Sequence, residues 1–596
     1  MAALLNERDI AFQLYEVLNT AALLDRERYS DQTREDFDAV LATAQAIATE
    51  KFADHNARGD ANEPQFDGRQ VRLIPEVKAA WDAFAEAGFL AAAPDVEEGG
   101  LQLPEIVLRA AMAWFSAANI SSAGYPFLTI GAANLLRTFG DEALKQRFLA
   151  PMMAGRFSGT MALTEPGQGS ALADIRTRAV PAEDGSFRIF GNKMFISAGD
   201  HELTENIVHM VLARIEGAPP GVKGISLFLV PKFLVDELGQ CCARNDVVLG
   251  GLLHKMGYRG TTSTVLNFGE QGGATGYLLG KPHHGMQHMF QMMNEARIGV
   301  GLGAACIAYR GYLAALEYAR ERPQGRLPGN RDPLSPQVRI IEHADVRRML
   351  LAQKCYAEGA LCLCLFGSAL FEDSRTAATG TSRARAHALL ELLTPVIKSW
   401  PSRYGCAANE LAIQVHGGAG YTREYLVEQL YRDQRLNPIH EGTEAIHGID
   451  LLGRKTGQPG YSLLFDFAGV DIERASGLLE CRAFAEPLRR ALDLLDAVTG
   501  SLRDQIAADP DRGLANATVY LDLFGRVVMA WIWLKQAISA EEGLGRSVTA
   551  GEQAFYRGKL QAARYFCEWE LPQMDAQAHL LGGANPVPFA MQDDWF

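Results

Sequence analysis

Positive charge is scarce in this sequence. Its 57 lysines and arginines are outnumbered by 71 aspartates and glutamates, a net charge of −14, and no basic stripe carries interleaved aromatics, so a nucleic-acid partner is not expected. Long apolar runs are lacking too. The N-terminus reaches Glu7, Arg8 and Asp9 before any stretch long enough for a signal peptide, and the most apolar run, 361–371, is about half of what a bilayer core requires. A cytoplasmic protein without a membrane span is expected. Cysteine is sparse: nine are scattered along the chain, and the close pairs Cys241-Cys242 and Cys362-Leu363-Cys364 match neither zinc nor redox spacing. They read as small buried apolar residues in a reducing compartment. His283 and His284 are too few to fill a zinc site, so no metal is expected. A βαβ alternation is missing as well, which excludes a doubly wound sheet and an α/β barrel.

What is present is helix, then strand, then helix. A chain of 596 residues, 48% of them apolar, exceeds a single core, and about three or four domains are expected. Residues 1–155 are helical in pattern, with apolar residues three and four apart over 77–89 and 106–118. Residues 156–285 carry short β-branched and aromatic runs at 187–196, 207–215, 224–230 and 264–268, separated by Gly, Pro, Asn and Asp. With no helical crossovers between them, they predict an antiparallel β domain. Helical periodicity returns over 286–460, at 286–319 and 344–370, around a Pro/Gly-rich stretch at 323–336. The breaker-rich segment 456–460 precedes a last helical domain, 461–596, with periodic runs at 478–498, 519–538 and 553–569. The predicted class is α+β multidomain: a helical domain, an antiparallel β domain, a second helical bundle and an added C-terminal helical domain.

Several short segments could carry chemistry. Gly299, Gly301 and Gly303 lie inside a helical stretch and predict close helix packing rather than a dinucleotide loop. Gly417, Gly418 and Gly420 form either a helix-ending loop or a surface on which a flat or phosphate-bearing ligand can settle. Residues 162–170 have the composition of a hydrogen-bonded turn between helical domain and sheet. Glu441, before Gly442-Thr443, suits a helix start as well as it suits catalysis.

Taken in order, T-E-P-x-x-G-S over 164–170, G-x-K-x-F-I-S over 191–197, Q-V-H-G-G-x-G-Y over 414–421 and E-G-T over 441–443 resemble the acyl-CoA dehydrogenase family. The resemblance runs over about residues 70–456 and takes in 98–100, 256–260, 294–297 and 318–322. The added C-terminal segment and residues 450–455 are similar to the longer bacterial branch that includes methylthiopropionyl-CoA dehydrogenases.

The resemblance implies FAD bound without a Rossmann fold, an acyl-CoA substrate, an electron-transferring flavoprotein as acceptor, and at least a homodimer. It makes Glu441 the base that takes the α proton. It places Leu163, Thr164, Gly169, Ser170, Phe195 and Ser197 at the flavin, Gln414, Gly417 and Gly418 near its adenine half, and Thr443 just after the base. Arg322 and Gln324 match a segment that reaches the FAD of a neighbouring subunit. Ser170, Asn294, Arg297, His440 and Gly442 are the implied substrate contacts; for Asn294 and Arg297 a solvated polar helix face is the alternative. The methionines at 286, 289, 292 and 293 fit core packing or an acyl channel. Some members carry the base on the helix of residues 294–297, where Ala296 stands here, and Glu295 is the runner-up. Departures from the pattern are Ala171 for Asp, His440 for an aromatic residue and Ala445 for a polar cofactor contact. An acyl-CoA oxidase would share all these residues, and a non-catalytic scaffold of the same fold would bind no flavin.

Overall fold

The β-branched runs of the middle segment join into one eight-stranded sheet. In this computed structural model, which describes residues 3–330, 332–583 and 586–596 apart from the side chains of Gln291 and Asn294, the strands are β1 (Phe157–Ala162), β2 (Arg178–Pro181), β3 (Phe187–Ser197), β4 (Asn206–Ile215), β5 (Ile225–Pro231), β6 (Val247–Leu252), β7 (Ser263–Phe268) and β8 (Ala274–Leu278). Their order is β6-β7-β3-β8-β5-β4-β1, with β2 pairing both β3 and β4. The expected antiparallel pattern holds except where β1 and β2 pair with β4 in parallel. Connectivity explains the exception: the chain passes through β3 before it reaches β4, and that long return lets β1 and β2 point the same way as β4. Strands β1, β2, β6 and β8 are short or interrupted by glycine and proline, which hides their periodicity.

Two compact units emerge, one made of Met1–Phe37, Pro104–Ala113 and Val300–Phe596, the other of Asp38–Leu103 and Trp114–Gly299. In the second, the helix Ile120–Phe139 shares a core with the sheet, in which Leu135, Leu136, Phe157, Val208, Met210 and Leu227 meet Met289 and Met292. Met286 and Met293 pack against the same core, so these methionines fill space between elements. Two histidines are sealed beside β1. His201 Nε2 lies 3.1 Å from Ser158 Oγ, and His209 Nδ1 lies 2.8 Å from Thr160 Oγ1. Loss of water, then the Lys232 charge, pushes each pKa down to about 3. Because the unfolded chain binds these protons near pH 6.5 and the folded chain does not, stability is complete above about pH 6.5 and falls on acidification toward pH 3. The slope is about 1.4 kcal/mol per pH unit for each histidine. Urea midpoints at pH 7 and pH 5 should show the fall, and the double variant His201→Gln/His209→Gln should flatten it; equal wild-type midpoints would contradict this.

In the first unit the helix Gly380–His416 carries Pro395 and Pro401 inside it. A proline withdraws the N–H owed to the carbonyl four residues earlier, and both carbonyls are met from elsewhere. Glu391 O accepts from Lys455 Nζ. Ile397 O is approached by Cys364 Sγ at 3.9 Å and by the backbone of Gly301, where a Cβ would lie 2.1 Å from that oxygen. The glycine cluster at 299–303 therefore does serve close packing. Three helices, Gly285–Glu321, Ala344–Thr376 and Ala517–Leu544, are long and apolar enough to cross a membrane, which the short uninterrupted run in the sequence did not suggest. They bury 83%, 89% and 89% of their most apolar windows within the protein. Seven cysteines are wholly or partly buried, whereas Cys241 and Cys242 are exposed, contrary to their expected burial, because they sit on a short edge hairpin, Phe233–Val235 with Cys241–Arg244.

Candidate active site

The end of β3 holds Phe195 and Ser197, two of the residues that the resemblance places at the flavin. Opposite β7, strand β3 slips in register between Ile196 and Lys193, so Met194 and Phe195 together face the single residue Val265. Such a bulge re-aims a side chain. Phe195 takes φ 60° and leaves its ring 62% exposed. A left-handed phenylalanine costs about 1–2 kcal/mol, and a ring this exposed offsets little of that by burial. Ser197 is exposed and Ile196 between them is buried, as strand alternation requires.

The T-E-P turn is bolted to this strand. Glu165 Oε1 accepts from Thr177 N at 3.0 Å, Thr177 Oγ1 at 2.6 Å and Lys193 Nζ at 3.0 Å, and Oε2 accepts from Arg176 N at 2.7 Å. Burial by itself raises the Glu165 pKa, but the Lys193 charge and these donors hold it below the usual carboxylate range. Burial pushes Lys193 down to about 8, with Glu165 pulling the other way. Lys193 Nζ also donates to Leu163 O at 2.9 Å. A bond from Met194 N to Thr164 O, at 2.9 Å, joins the two backbones directly. Beside this anchor Leu163 is buried, Thr164 is half-buried, and Gly169 and Ser170 are exposed.

Glu441 sits in a strained turn of the first unit. It takes φ 53° and Gly442 takes φ 98°, a left-handed pair that only the glycine adopts at no cost. His447 Nε2 lies 3.2 Å from Glu441 O, and Lys398 Nζ donates to Gly442 O at 2.6 Å. A Cβ on Gly442 would lie 2.7 Å from His447 Nε2. Thr443 then enters the helix Glu444–Gly453 as its N-terminal cap residue. Before the turn, loss of water and then the Lys398 charge push the His440 pKa down to about 3, so its imidazole is neutral near pH 7. Glu441, Gly442 and Thr443 are half-buried, open enough to meet a ligand.

Comparisons with known proteins bear on this geometry. The family models for the acyl-CoA dehydrogenase N-terminal, middle and C-terminal domains match residues 34–156, 160–270 and 283–455, and one described as acetyl-CoA dehydrogenase C-terminal like matches 466–592. The chain is 36% identical over 575 residues to the 3-methylmercaptopropionyl-CoA dehydrogenase of Ruegeria pomeroyi, covering 96% of each. It is 35% identical over 598 residues to the broad-specificity linear acyl-CoA dehydrogenase of Mycobacterium tuberculosis, covering 97% of each. The chain belongs to the acyl-CoA dehydrogenase family. Its fold is also that of the acyl-CoA dehydrogenase from Bacillus anthracis complexed with FAD, with a TM-score of 0.74 over 95% of this chain and 90% of that one at 19% identity.

In this acyl-CoA dehydrogenase the other sequence-predicted residues fall as follows. Gln414, Gly417 and Gly418 are exposed where the helix Gly380–His416 ends, and a Cβ on either glycine would meet nothing within 4 Å. Arg322 and Gln324 are exposed on a loop whose backbone pairs with 338–340. Arg297 is 7% exposed, which overturns the solvated-face alternative for it. The side chain of Asn294 lies outside the described residues. Glu295 accepts from Asn134 Nδ2 at 2.9 Å. Glu441 shares one turn with His440, Gly442 and Thr443, while Leu163, Thr164, Gly169 and Ser170 follow β1 in the turn that Met194 N, beside Phe195 and Ser197 of β3, bonds at Thr164 O.

Four residues escaped the sequence reading. Glu165 and Lys193 belong to the motifs at 164–170 and 191–197, yet nothing in their spacing reveals their pairing. Lys398 had a signal, a lone charge in the apolar run 392–401, and His447 is one of two histidines flanking the E-G-T segment.

Proposed function

We propose that the protein removes the α and β hydrogens of an acyl-CoA thioester to give a trans-2-enoyl-CoA, with FAD as cofactor and Glu441 as base. The observation that carries this reading is Glu441 itself, a half-buried carboxylate held left-handed by bonds to the carbonyls on either side of the Gly442 N–Cα–C unit. Glu441 takes the α proton. Its backbone N–H donates to the thioester oxygen as that oxygen gains charge, in the manner of an oxyanion hole.

The residues present suit FAD. The exposed Phe195 ring offers a flat apolar face, Thr164, Ser170 and Ser197 add hydroxyls, and the bare glycines 417 and 418 let a large ligand approach backbone. When bound, FAD supplies the acceptor of the β hydride at N5. A role in fatty acid β-oxidation, a cytoplasmic location, at least a homodimer, and an electron-transferring flavoprotein as acceptor complete the reading. A medium or long straight acyl chain is the proposed substrate. A short thioether acyl group is the second reading, favoured by the likeness to the Ruegeria pomeroyi enzyme.

Anaerobic mixing of purified protein with straight-chain acyl-CoAs of increasing length and with 3-methylthiopropionyl-CoA tests this. Loss of the oxidised flavin band supports the reading and ranks the substrates. A colourless protein points to a scaffold, and peroxide formed at every aerobic turnover points to an oxidase. The Glu165–Lys193 anchor gives a second check. Glu165→Ala leaves Lys193 buried without that partner, a loss of about 3–5 kcal/mol centred on the end of β3. Gel filtration should return this variant largely free of flavin, and full retention would contradict the assignment of the flavin to it.

A further inference from the structure

We infer that Lys398 is a positioning residue for proton abstraction: its ammonium holds the Gly442 carbonyl and so fixes the turn that aims the Glu441 carboxylate. The inference rests on the proposed role of Glu441 and names what sets its geometry.

Lys398 is 0% exposed on a helix that has only apolar neighbours just before it, Val396 and Ile397. A buried ammonium is costly unless strong acceptors meet it, and the Gly442 carbonyl accepts from it at 2.6 Å, a short charge-assisted bond. The site it grips is the strained one. Glu441 and Gly442 are both left-handed, and a non-glycine residue stays so only where its surroundings over-determine it. Lys398 supplies one restraint from the helix Gly380–His416, and His447 supplies another from the helix Glu444–Gly453 by donating from Nε2 to Glu441 O at 3.2 Å. The Lys398 segment is itself fixed, because it lies between Pro395 and Pro401 and its neighbour Ile397 is pressed against Gly301. Releasing the Gly442 carbonyl lets the backbone after Glu441 rotate, and the carboxylate swings with it.

The test reads proton transfer alone. An acyl-CoA with sulfur in place of its β carbon keeps acidic α protons and has no β hydride to lose, so deuterium uptake at the α carbon in D2O, followed by mass spectrometry, reports on the base. Lys398→Met keeps the volume and removes the charge; Lys398→Gln keeps an N–H donor. Exchange should slow about 10- to 100-fold in Lys398→Met, with analogue Kd within about threefold of wild type, flavin content unchanged, and Lys398→Gln in between. Wild-type exchange in Lys398→Met overturns the inference. So does a loss of flavin or analogue binding that parallels the loss of exchange, or failure of both variants to fold, since each makes Lys398 a general structural residue. The two levels separate cleanly: if wild type exchanges nothing, the dehydrogenase reading falls and this inference with it. If wild type exchanges, Glu441→Gln does not and Lys398→Met does, only the role of Lys398 falls.

Discussion

With Glu441→Gln, the flavin should stay oxidised when an acyl-CoA that bleaches the wild type is added. The amide matches the carboxylate in shape and cannot take a proton. The bonds that hold the turn end on backbone oxygens, at Glu441 from His447 and at Gly442 from Lys398, so the substitution leaves them intact. Flavin content and melting temperature should therefore match wild type, while the rate of bleaching falls by at least roughly 10²-fold, the scale of a lost general base. Glu295→Gln is the comparison, because Glu295 is the runner-up base, 7% exposed and bonded to Asn134. Unchanged bleaching in Glu441→Gln together with its loss in Glu295→Gln would move the base to the helix Gly285–Glu321.

Glu441 stands out in the sequence because its E-G-T follows three other motifs in a fixed order, not because of any property of the segment His440-Glu441-Gly442. Its backbone conformation was not legible. A φ of 53° depends on what grips the two carbonyls of the turn. One grip reaches Gly442 from a lysine 44 positions away, the other reaches Glu441 from a histidine 6 positions away. The end of β3 behaves alike. The G-x-K-x-F-I-S motif marked Phe195 and Ser197, but the bulge that turns the Phe195 ring outward is a matter of register against β7, and register belongs to a pair of strands. Among helices, periodicity found 344–370 inside Ala344–Thr376 and 519–538 inside Ala517–Leu544. The 37-residue helix Gly380–His416 falls inside the expected helical span 286–460, but its bounds are hidden in the sequence by the two prolines within it. Their freed carbonyls are met by Lys455, Cys364 and Gly301, partners that no local pattern announces.

Lys559→Met should destabilise the protein by about 3–5 kcal/mol, the cost of leaving buried carboxylates without their cation. Lys559 is fully buried in the helix Ala550–Tyr565, with Nζ 2.5 Å from Asp9 Oδ1 and 2.6 Å from Glu358 Oε2, and it donates to Gln536 Oε1 at 3.0 Å. Asp9 also accepts from Tyr309 OH at 2.9 Å and Gln13 Nε2 at 3.1 Å, and Glu358 accepts from Lys354 Nζ. Burial raises the Asp9 pKa and the Lys559 charge opposes it. In Glu358 the charges of Lys354 and Lys559 outweigh burial and hold the carboxyl below its usual range. Lys559 is thus the cation shared by two buried acidic side chains, and removing it leaves both without that partner. Asp9→Asn removes one of the two, so Asp9→Asn/Lys559→Met should melt above Lys559→Met, a non-additivity that only interacting residues show. Additive losses, or a Lys559→Met protein that melts with wild type, would contradict the network. Its members come from the N-terminal helices Glu7–Ala11 and Phe12–Val17, from Gly285–Glu321 and Ala344–Thr376, and from the C-terminal helices Ala517–Leu544 and Ala550–Tyr565. The same C-terminal segment packs on the helix that follows Glu441, because Gly448 there lies so close that a Cβ would be 2.5 Å from Ala517 O. The added C-terminal helices are thereby part of the core that carries Glu441, and loosening them at Lys559 should slow bleaching as well as lower the melting temperature.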